Sequence, residues 1–223
     1  MTPENLFDLK GKVALVTGGA TGIGRMASIG LASAGARVLI ASRKAEACQA
    51  VAADINEMGL AGSAEGFGGN IATQDGISDL ITALKLRTDK LHILMNNAGR
   101  TWGAPLGVFP YDAWERVMAL NVTGMFHLTQ GLIEFLAAST DANDPARVVN
   151  VGSVMGEIPM GDDAYSYAVS KSAVHHMTRI LAKELLERNI TVNALAPGPF
   201  QSGMTKFAIG DDDSSDRVGL RVP

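Results

Sequence analysis

The stretch Thr17-Gly18-Gly19-Ala20-Thr21-Gly22-Ile23-Gly24 follows directly on the apolar run Val13-Ala14-Leu15-Val16. A short apolar run of this kind predicts a buried strand, and the residues after the glycines have helical spacing. Gly18 would permit a sharp turn, Gly22 would let the backbone approach a pyrophosphate, and Gly24 would let the helix pack against the sheet. The free N–H groups at a helix N-terminus attract such an anion. The stretch therefore predicts the strand, turn and helix that open a dinucleotide-binding α/β fold, although a tight turn without a ligand is the alternative.

Short apolar runs alternate with helical patterns along the rest of the chain. Continuous apolar runs suit strands that are buried on both faces of a parallel sheet. The runs lie at 37–41, 91–95, 147–151 and 190–194, with a weaker one at 63–67; the helical patterns cover 22–34, 45–58, 74–87, 112–138 with Asp112 as N-cap, and 164–188. This order predicts the α/β class: a doubly wound, mostly parallel sheet of the Rossmann type in three layers, αβα. With no repeat or linker, we expect 1–223 to form a single dinucleotide-binding and catalytic domain.

Composition excludes several classes of protein. The chain has 223 residues, of which 47% are hydrophobic and 19% charged, so it is globular rather than disordered. The net charge of −4 gives no attraction to nucleic acid or an anionic membrane, and we expect neither as a partner. The single cysteine, Cys48, and the absence of a basic and apolar leader predict a cytoplasmic protein. The acidic run 211–213 has no His or Cys nearby, so it predicts a solvated loop, and no metal site is expected.

The end of the second predicted strand bears on the choice of cofactor. It has the sequence Ala41-Ser42-Arg43-Lys44, without the carboxylate that binds the ribose 2′-hydroxyl of NAD. A hydroxyl followed by a guanidinium suits a 2′-phosphate, because Arg offers a planar fork of donors. The stretch predicts NADP(H) in preference to NAD(H). The alternative is that Arg43 and Lys44 only begin a solvated helix.

A tyrosine, a lysine and a serine form the candidate catalytic group. Tyr167 and Lys171 are four residues apart in a predicted helix and therefore share a face. A nearby ammonium would lower the pKa of the tyrosine from ~10 towards working pH, which suits a general acid in carbonyl reduction and a base in alcohol oxidation. Ser153 follows the strand at 147–151, at the sheet edge where open α/β sheets bind ligands, and would hydrogen-bond the substrate oxygen. This spacing of Tyr and Lys is common in helices by chance, so the pair gains weight only from Ser153 and the glycine turn.

Three other residues compete for the same chemistry. Tyr165 has Val169, not a lysine, four residues later, so we expect it to form a wall of the pocket. His175 and His176 lie on the same predicted helix without an evident carboxylate partner, and we expect packing or surface roles for both.

These motifs together resemble the short-chain dehydrogenase/reductase family. Thr17 to Gly24 matches its TGxxxGxG turn, Asn96-Asn97-Ala98-Gly99 its NNAG element and Pro197-Gly198 its PG element. Asn121, Ser153, Tyr167 and Lys171 match its Asn-Ser-Tyr-Lys tetrad. The resemblance covers essentially the whole chain.

The resemblance implies a role for each matching residue. Tyr167 would donate or accept the proton, Lys171 would bind the nicotinamide ribose, and Ser153 would orient the carbonyl. Asn121 would hold a water that links Lys171 to solvent. Asn70 stands where relatives have an Asp that contacts the adenine amine, so the contact would remain without its charge. The cofactor-binding set is then Gly18, Thr21, Gly22, Ile23, Gly24, Ser42, Arg43, Asn70, Ile71, Asn97, Ala98, Gly99, Tyr167, Lys171, Pro197, Gly198 and Ser202, the last near the nicotinamide carboxamide.

The same resemblance bears on substrate and assembly. The segment 197–205 is similar to NADP-dependent β-ketoacyl reductases linked to rhamnolipid synthesis, which implies interconversion of a ketone, such as a 3-oxoacyl group, and a secondary alcohol by hydride transfer. An apolar rim would suit an acyl chain, unless its members are ordinary core; they are Trp102, Met155, Met160, Phe200, Met204 and Phe207. The alternatives are a polyol or sugar dehydrogenase of the same family and a catalytically silent dinucleotide-binding protein. A homodimer or homotetramer is implied, with the helices of Asn121 and Tyr167 in one interface.

The resemblance also shows a departure at the C-terminus. Family members continue with another helix and a seventh strand after the point where this chain ends, at Pro223. The sequence is then either part of a longer natural chain, which would be the enzyme, or that of a naturally short protein. We expect the 223-residue polypeptide itself to be poorly stable or inactive, since an unpaired sheet edge and apolar surface would be exposed.

Overall fold

Six parallel strands form one sheet in the computed structural model, which describes residues 7–141, 143–160 and 163–198. The strands are β1 (Val13–Thr17), β2 (Arg37–Ser42), β3 (Ser63–Gly68), β4 (Ile93–Asn96), β5 (Ala146–Val151) and β6 (Ile190–Leu195). Their order across the sheet is β3-β2-β1-β4-β5-β6, and every neighbouring pair is parallel. The chain thus winds outwards in one direction from β1 and in the other from β4. The predicted doubly wound sheet is confirmed. A ligand-binding crevice is expected at the carboxyl ends of β1 and β4, the paired strands from which the chain winds in opposite directions.

Helices cover the sheet in two layers. They are α1 (Gly22–Ser33), α2 (Ala45–Glu57), α3 (Gln74–Lys85), α4 (Tyr111–Met118), α5 (Met125–Ala137) and α6 (Tyr165–Glu184). One buried cluster joins α1 and α2 to one face of the sheet, through side chains such as Ala32, Val51 and Ile55. A second cluster joins α3, α5 and α6 to the other face, through Leu80, Leu132 and similar residues. The strands are apolar on both sides because both faces are covered. No described helix is long and apolar enough to cross a bilayer.

The predicted helix at 112–138 is present as a continuous helical segment over 111–137, but its regularity and its N-cap differ from the prediction. A π-helical turn, Ala119–Gly124, separates α4 from α5 and contains Asn121. The N-cap is also different: Pro110 occupies it, and Asp112 lies in the first turn, where it pairs with Arg116. The helix dipole favours a carboxylate in this first turn, which explains why the sequence pattern pointed to Asp112 as the N-cap.

A row of buried polar side chains crosses the sheet below the crevice. Asn96 on β4 donates to Thr129 on α5 at 3.0 Å and to Asn150 on β5 at 2.9 Å. Asn150 then donates to Thr178 on α6 at 3.0 Å. Because these groups are inaccessible to water, each hydrogen bond replaces one that water would otherwise make. The row therefore fixes α5 and α6 relative to β4 and β5.

Candidate active site

The glycine turn is held against the segment that follows β4. Gly18 and Gly22 have φ angles of +65° and +51°, a region that side chains rarely adopt. The side-chain amide of Asn97 donates from Nδ2 to the carbonyls of Thr17 and Gly18 at 3.0 and 3.1 Å. A Cβ atom on Gly24 would lie 2.4 Å from that amide nitrogen, so only glycine fits. The turn and the 96–99 segment therefore form one rigid unit.

The hydroxyl of Thr17 provides a second link between the same segments. It accepts from the backbone N–H groups of Asn97 and Ala98, both at 3.1 Å. Thr17 is part of the predicted motif, but no local pattern predicts its hydrogen-bond partners. Its contacts orient the backbone at the point where the two halves of the sheet diverge.

A cleft of about 440 Å³ lies at this point and unites most of the predicted site residues. Those that line it are Gly18, Thr21, Gly22, Ile23, Ser42, Arg43, Asn70, Ile71, Asn97, Ala98, Gly99, Ser153, Tyr167, Lys171, Pro197 and Gly198. Gly24 lies beneath the turn and Asn121 behind Gly99, so neither is in the lining. The prediction omitted several lining residues, among them Gly69, Leu80 and Leu120. Gly69 donates its N–H to the carbonyl of Ser42, a contact between neighbouring strand ends that no local pattern reveals.

The end of β2 presents a hydroxyl and a guanidinium to one end of the cleft. The Ser42 Oγ accepts from the N–H of Lys44 at 3.2 Å and lies 3.0 Å from the Cys48 Sγ. Arg43 is exposed, and among the described residues it makes no ion pair. None of the described lining residues is acidic, whereas Arg43 and Lys171 are basic. This end of the cleft therefore suits an anionic group.

Lys171 is a buried cation at the opposite end of the cleft. Its side chain comes from the second turn of α6, and only 5% of the residue is exposed. The Nζ donates to the carbonyl of Val151 at 2.6 Å and lies 5.5 Å from the centre of the Tyr167 ring. Burial lowers the pKa of Lys171 to about 8.

The pKa of Tyr167 differs in direction from the prediction made from its spacing to Lys171. Burial raises the pKa of the phenol, and a hydrogen bond with Ser153 opposes that rise without cancelling it. Lys171 does not lower the tyrosine pKa, because its ammonium is directed at the Val151 carbonyl and not at the phenol. The phenol therefore stays protonated at neutral pH.

Asn121 is held by three hydrogen bonds inside the π-helical turn. Its Oδ1 accepts from the N–H of Arg100, and its Nδ2 donates to the carbonyl of Arg100 and to the Oγ of Ser170, all at 2.9 Å. A Cβ atom on Gly99 would lie 3.4 Å from this Oδ1 and 3.7 Å from the Lys171 Nζ. Asn121 and Lys171 thus both lie close to the same side of Gly99, and a π turn frees backbone groups beside them.

Two expectations about the surroundings of the site were wrong. Tyr165 is not in the cleft lining: its hydroxyl donates to Asp163 at 3.2 Å and its ring packs against Phe109. His175 does have a carboxylate partner, since its Nδ1 lies 2.6 Å from the Oε1 of Glu157. The prediction missed this pair because the two residues are 18 positions apart, in a loop and a helix.

The proposed apolar rim is only partly described. Trp102, Met155 and Met160 do not line the cleft, and the guanidinium of Arg116 lies 5.5 Å from the Trp102 ring. The other predicted residues of this region, Phe200, Ser202, Met204, Phe207 and the acidic run 211–213, lie outside the described residues.

Comparison with known proteins gives consistent matches over the whole chain. Residues 12–212 match the family model described as short chain dehydrogenase. The chain is 43% identical to the 3-oxoacyl-(acyl-carrier-protein) reductase of rhamnolipid biosynthesis from Pseudomonas aeruginosa, over 97% of this chain and 84% of that protein. It is 31% identical to gluconate 5-dehydrogenase from Gluconobacter oxydans, over 100% of this chain and 84% of that protein. The Pseudomonas aeruginosa RhlG/NADP active-site complex superposes with a TM-score of 0.93 at 43% identity, covering 100% of this chain and 85% of that one.

Proposed function

The chain belongs to the short-chain dehydrogenase family, and on that premise we propose that it is an NADP(H)-dependent reductase of a ketone, a 3-oxoacyl group in the favoured case. One observation carries the proposal: Ser153, Tyr167 and Lys171 line the same cleft as the glycine turn. The cleft thus offers both a dinucleotide site and a proton donor within it. The reverse reaction, oxidation of a secondary alcohol, uses the same groups.

The residues of the cleft fit NADP(H) in charge and in shape. The glycine turn would present its backbone N–H groups to a pyrophosphate. Gly18 has little room for a side chain, because a Cβ atom there would lie 3.0 Å from the backbone of Ala98. Ser42 and Arg43 would hold the 2′-phosphate, in a cleft whose described lining has no carboxylate to repel it. Asn70 and Ile71 would lie along the adenine, and Pro197 and Gly198 along the nicotinamide.

The remaining side chains act on the substrate oxygen. When bound, NADPH supplies the hydride that reaches the carbonyl carbon. The Ser153 hydroxyl donates a hydrogen bond to the carbonyl oxygen, and the Tyr167 hydroxyl transfers its proton to that oxygen as charge develops there. A raised tyrosine pKa suits this direction, because the donor must carry its proton at neutral pH. Lys171, an ammonium below about pH 8, would bind the nicotinamide ribose, and a water near Asn121 would return a proton to Tyr167 through it.

Replacement of Tyr167 tests the proposal. We expect the enzyme to consume NADPH with a 3-oxoacyl thioester, followed by loss of the NADPH absorbance. Full turnover and a cooperative melt of the 223-residue polypeptide would overturn the expectation that it is poorly stable or inactive. A Tyr167→Phe variant should bind NADPH but lose at least about a hundredfold in kcat, the usual contribution of a general acid. Tyr165→Phe is the matched control and should keep wild-type turnover. A Tyr167→Phe variant as active as the wild type would refute the assignment, and NADPH binding without turnover on any ketone would favour the silent dinucleotide-binding protein.

A second candidate substrate is a keto acid derived from a sugar, because gluconate 5-dehydrogenase is among the relatives. The test is a comparison of kcat/KM for a 3-oxoacyl thioester and for 5-keto-D-gluconate under the same conditions. A higher value for the keto acid would replace the favoured substrate class and leave the reaction type unchanged.

We further propose a homodimer or homotetramer that joins through α4, α5 and α6. The support is apolar exposure on these helices, where Trp114 is 37%, Val169 46% and Ile180 54% exposed. Light scattering after size exclusion measures the assembly, and a monomer at micromolar concentration would contradict it. A cytoplasmic location and a single catalytic domain complete the proposal; the one cysteine supports the first, and the one sheet around which the described site residues are arranged supports the second.

A further inference from the structure

His175 is a buried side chain that the proposed reaction does not use, yet it touches the backbone of a residue that the reaction does use. It lies on α6 one turn after Lys171, and its side chain is only 7% exposed. Its Nε2 lies 3.3 Å from the backbone N of Ser153, which donates to it. Its Nδ1 lies 2.6 Å from the Oε1 of Glu157. The imidazole therefore bridges the two ends of the loop that carries Ser153.

The loop encloses the ring closely. A Cβ atom on Gly152 would lie 2.0 Å from the Nε2, and one on Gly156 would lie 3.0 Å from the Cε1. Glycine at these two positions lets the main chain approach the imidazole from both sides. The hydroxyl of Ser172, also on α6, donates to the carbonyl of Gly156 and closes the loop further. The loop is thus shaped around His175.

Three consecutive N–H groups fix this loop in place. The N–H of Gly152 donates to the carbonyl of Leu195 at 2.7 Å, and that of Val154 donates to the carbonyl of Pro197 at 3.0 Å. The N–H between them belongs to Ser153, and its acceptor is the His175 ring. The backbone at Ser153 is therefore set by a side chain, whereas its two neighbours are set by main-chain carbonyls near the end of β6.

The two contacts require one arrangement of protons on the ring. The Glu157 carboxylate accepts a hydrogen bond from Nδ1–H, so Nδ1 carries the hydrogen and Nε2 has a free lone pair. The Ser153 N–H donates its hydrogen bond to that lone pair. If Nε2 carried the hydrogen instead, two donors would face each other across 3.3 Å. Glu157 therefore selects the tautomer that can hold Ser153.

We infer that His175, oriented by Glu157, is a positioning residue for the reaction: it holds the backbone of Ser153 so that the serine hydroxyl meets the substrate oxygen beside Tyr167. This inference rests on the proposed reduction. The hydroxyl is already directed by a contact at its other side, since the Ser153 Oγ accepts from the N–H of Met155 at 3.2 Å. A small rotation of the Ser153 backbone would move the hydroxyl away from the carbonyl and leave the cofactor site untouched.

The test combines kinetics with amide hydrogen exchange at Ser153. His175→Leu removes the acceptor and keeps the bulk, and we expect kcat to fall roughly ten- to a hundredfold, as for other small misplacements of a catalytic group. The KM for NADPH should stay unchanged, and the Ser153 amide should exchange faster. His175→Gln retains an oxygen that can accept from Ser153 and should recover most of kcat and of the protection. His176→Leu, at the exposed neighbouring position, is the matched control and should behave as the wild type.

Glu157→Ala provides a second route if the leucine variant does not fold, since the Glu157 side chain is 58% exposed and its loss disturbs no core. We expect a smaller fall in kcat, with faster exchange at Ser153. Unchanged kcat and exchange in Glu157→Ala, or equal impairment of the glutamine and leucine variants of His175, would overturn the inference. A wild-type chain without turnover would instead refute the proposed function, and the two failures are thereby distinguished.

Discussion

At the scale of single residues, burial of the Lys171 ammonium lowers the stability of the folded chain. Burial lowers its pKa from 10.5 to about 8, so between these two pH values the unfolded chain binds the proton more tightly than the folded one. Stability therefore rises with pH across this range, and the full penalty is present below about pH 8. A shift of this size corresponds to about 3 kcal/mol.

The first prediction follows from this penalty. Lys171→Met should raise the free energy of unfolding at pH 7 by about 1–3 kcal/mol, because an apolar side chain of similar length replaces a buried cation. The gain should shrink as the pH rises from about 8 to 10.5, while activity is lost at every pH. Urea unfolding at pH 7 and pH 10 measures the effect. Lys183→Met, exposed on the same helix, should change little, and a methionine variant at position 171 less stable than the wild type would contradict the argument.

Arg43 supports a second prediction at this scale. Arg43→Asp should lower kcat/KM for NADPH by roughly a hundredfold and raise it for NADH, because a carboxylate repels a 2′-phosphate and binds a 2′-hydroxyl. Lys85→Asp changes the net charge equally, at the end of α3 and outside the cleft lining, and should leave the ratio of the two cofactors unaltered. Equal use of NADPH by the Arg43 variant and the wild type would remove Arg43 from the phosphate site.

At the scale of elements, the π-helical turn is packed against the cofactor side of the cleft. A Cβ atom on Gly124 would lie 1.9 Å from the carbonyl oxygen of Ile71, and this oxygen belongs to the backbone and cannot rotate away. Gly124→Ala should therefore destabilise the fold by roughly 1–3 kcal/mol and weaken NADPH binding, because Ile71 lines the cleft. Gly30→Ala on α1 meets nothing within 4 Å and should be neutral or stabilising by about 0.5–1 kcal/mol. Thermal unfolding and an NADPH fluorescence titration of both variants make the comparison.

The helices and strands could be predicted from the sequence, whereas the π-helical turn within one helical segment could not. The glycine turn and the apolar runs are local patterns, and they placed β1, α1 and the other strands correctly. The apolar spacing of 112–138 is equally regular on both sides of Asn121, so nothing local marks the π-helical turn. The turn is stabilised by the backbone of Arg100, which is 21 residues away in the sequence.

The same limit applies to the site. Ser153, Tyr167 and Lys171 were predicted from residue type and spacing, and the cleft brings them together. The direction of the Tyr167 pKa was wrong because spacing along a helix shows which side chains are neighbours but not where an ammonium points. The pairs Thr17 with Asn97 and Ser153 with His175 are 80 and 22 residues apart, and only the folded chain shows them.

At the scale of the whole molecule, the cleft spans the two halves of the sheet. Its lining comes from the ends of β1 and β2 on one side and of β4, β5 and β6 on the other. A ligand bound there contacts both halves of the sheet. These contacts exist only in the folded chain. NADPH at a hundred times its dissociation constant should therefore stabilise the fold by about 2.7 kcal/mol and raise the Tm with increasing concentration. NADH at the same concentration is the control and should shift the Tm less; no shift with NADPH would contradict the proposed site.

Tight packing and exposure divide the cofactor cleft into two parts. Gly24 and Asn97 leave no space for an added carbon, whereas Arg43 stands exposed at the rim. Substitutions at Arg43 can therefore change which nucleotide is bound, whereas substitutions at Gly24 or Asn97 would disrupt the packing of the site. In an evolving lineage, such an enzyme can move from one cellular pool of reducing equivalents to another through a few changes at its surface, while the catalytic core is inherited intact.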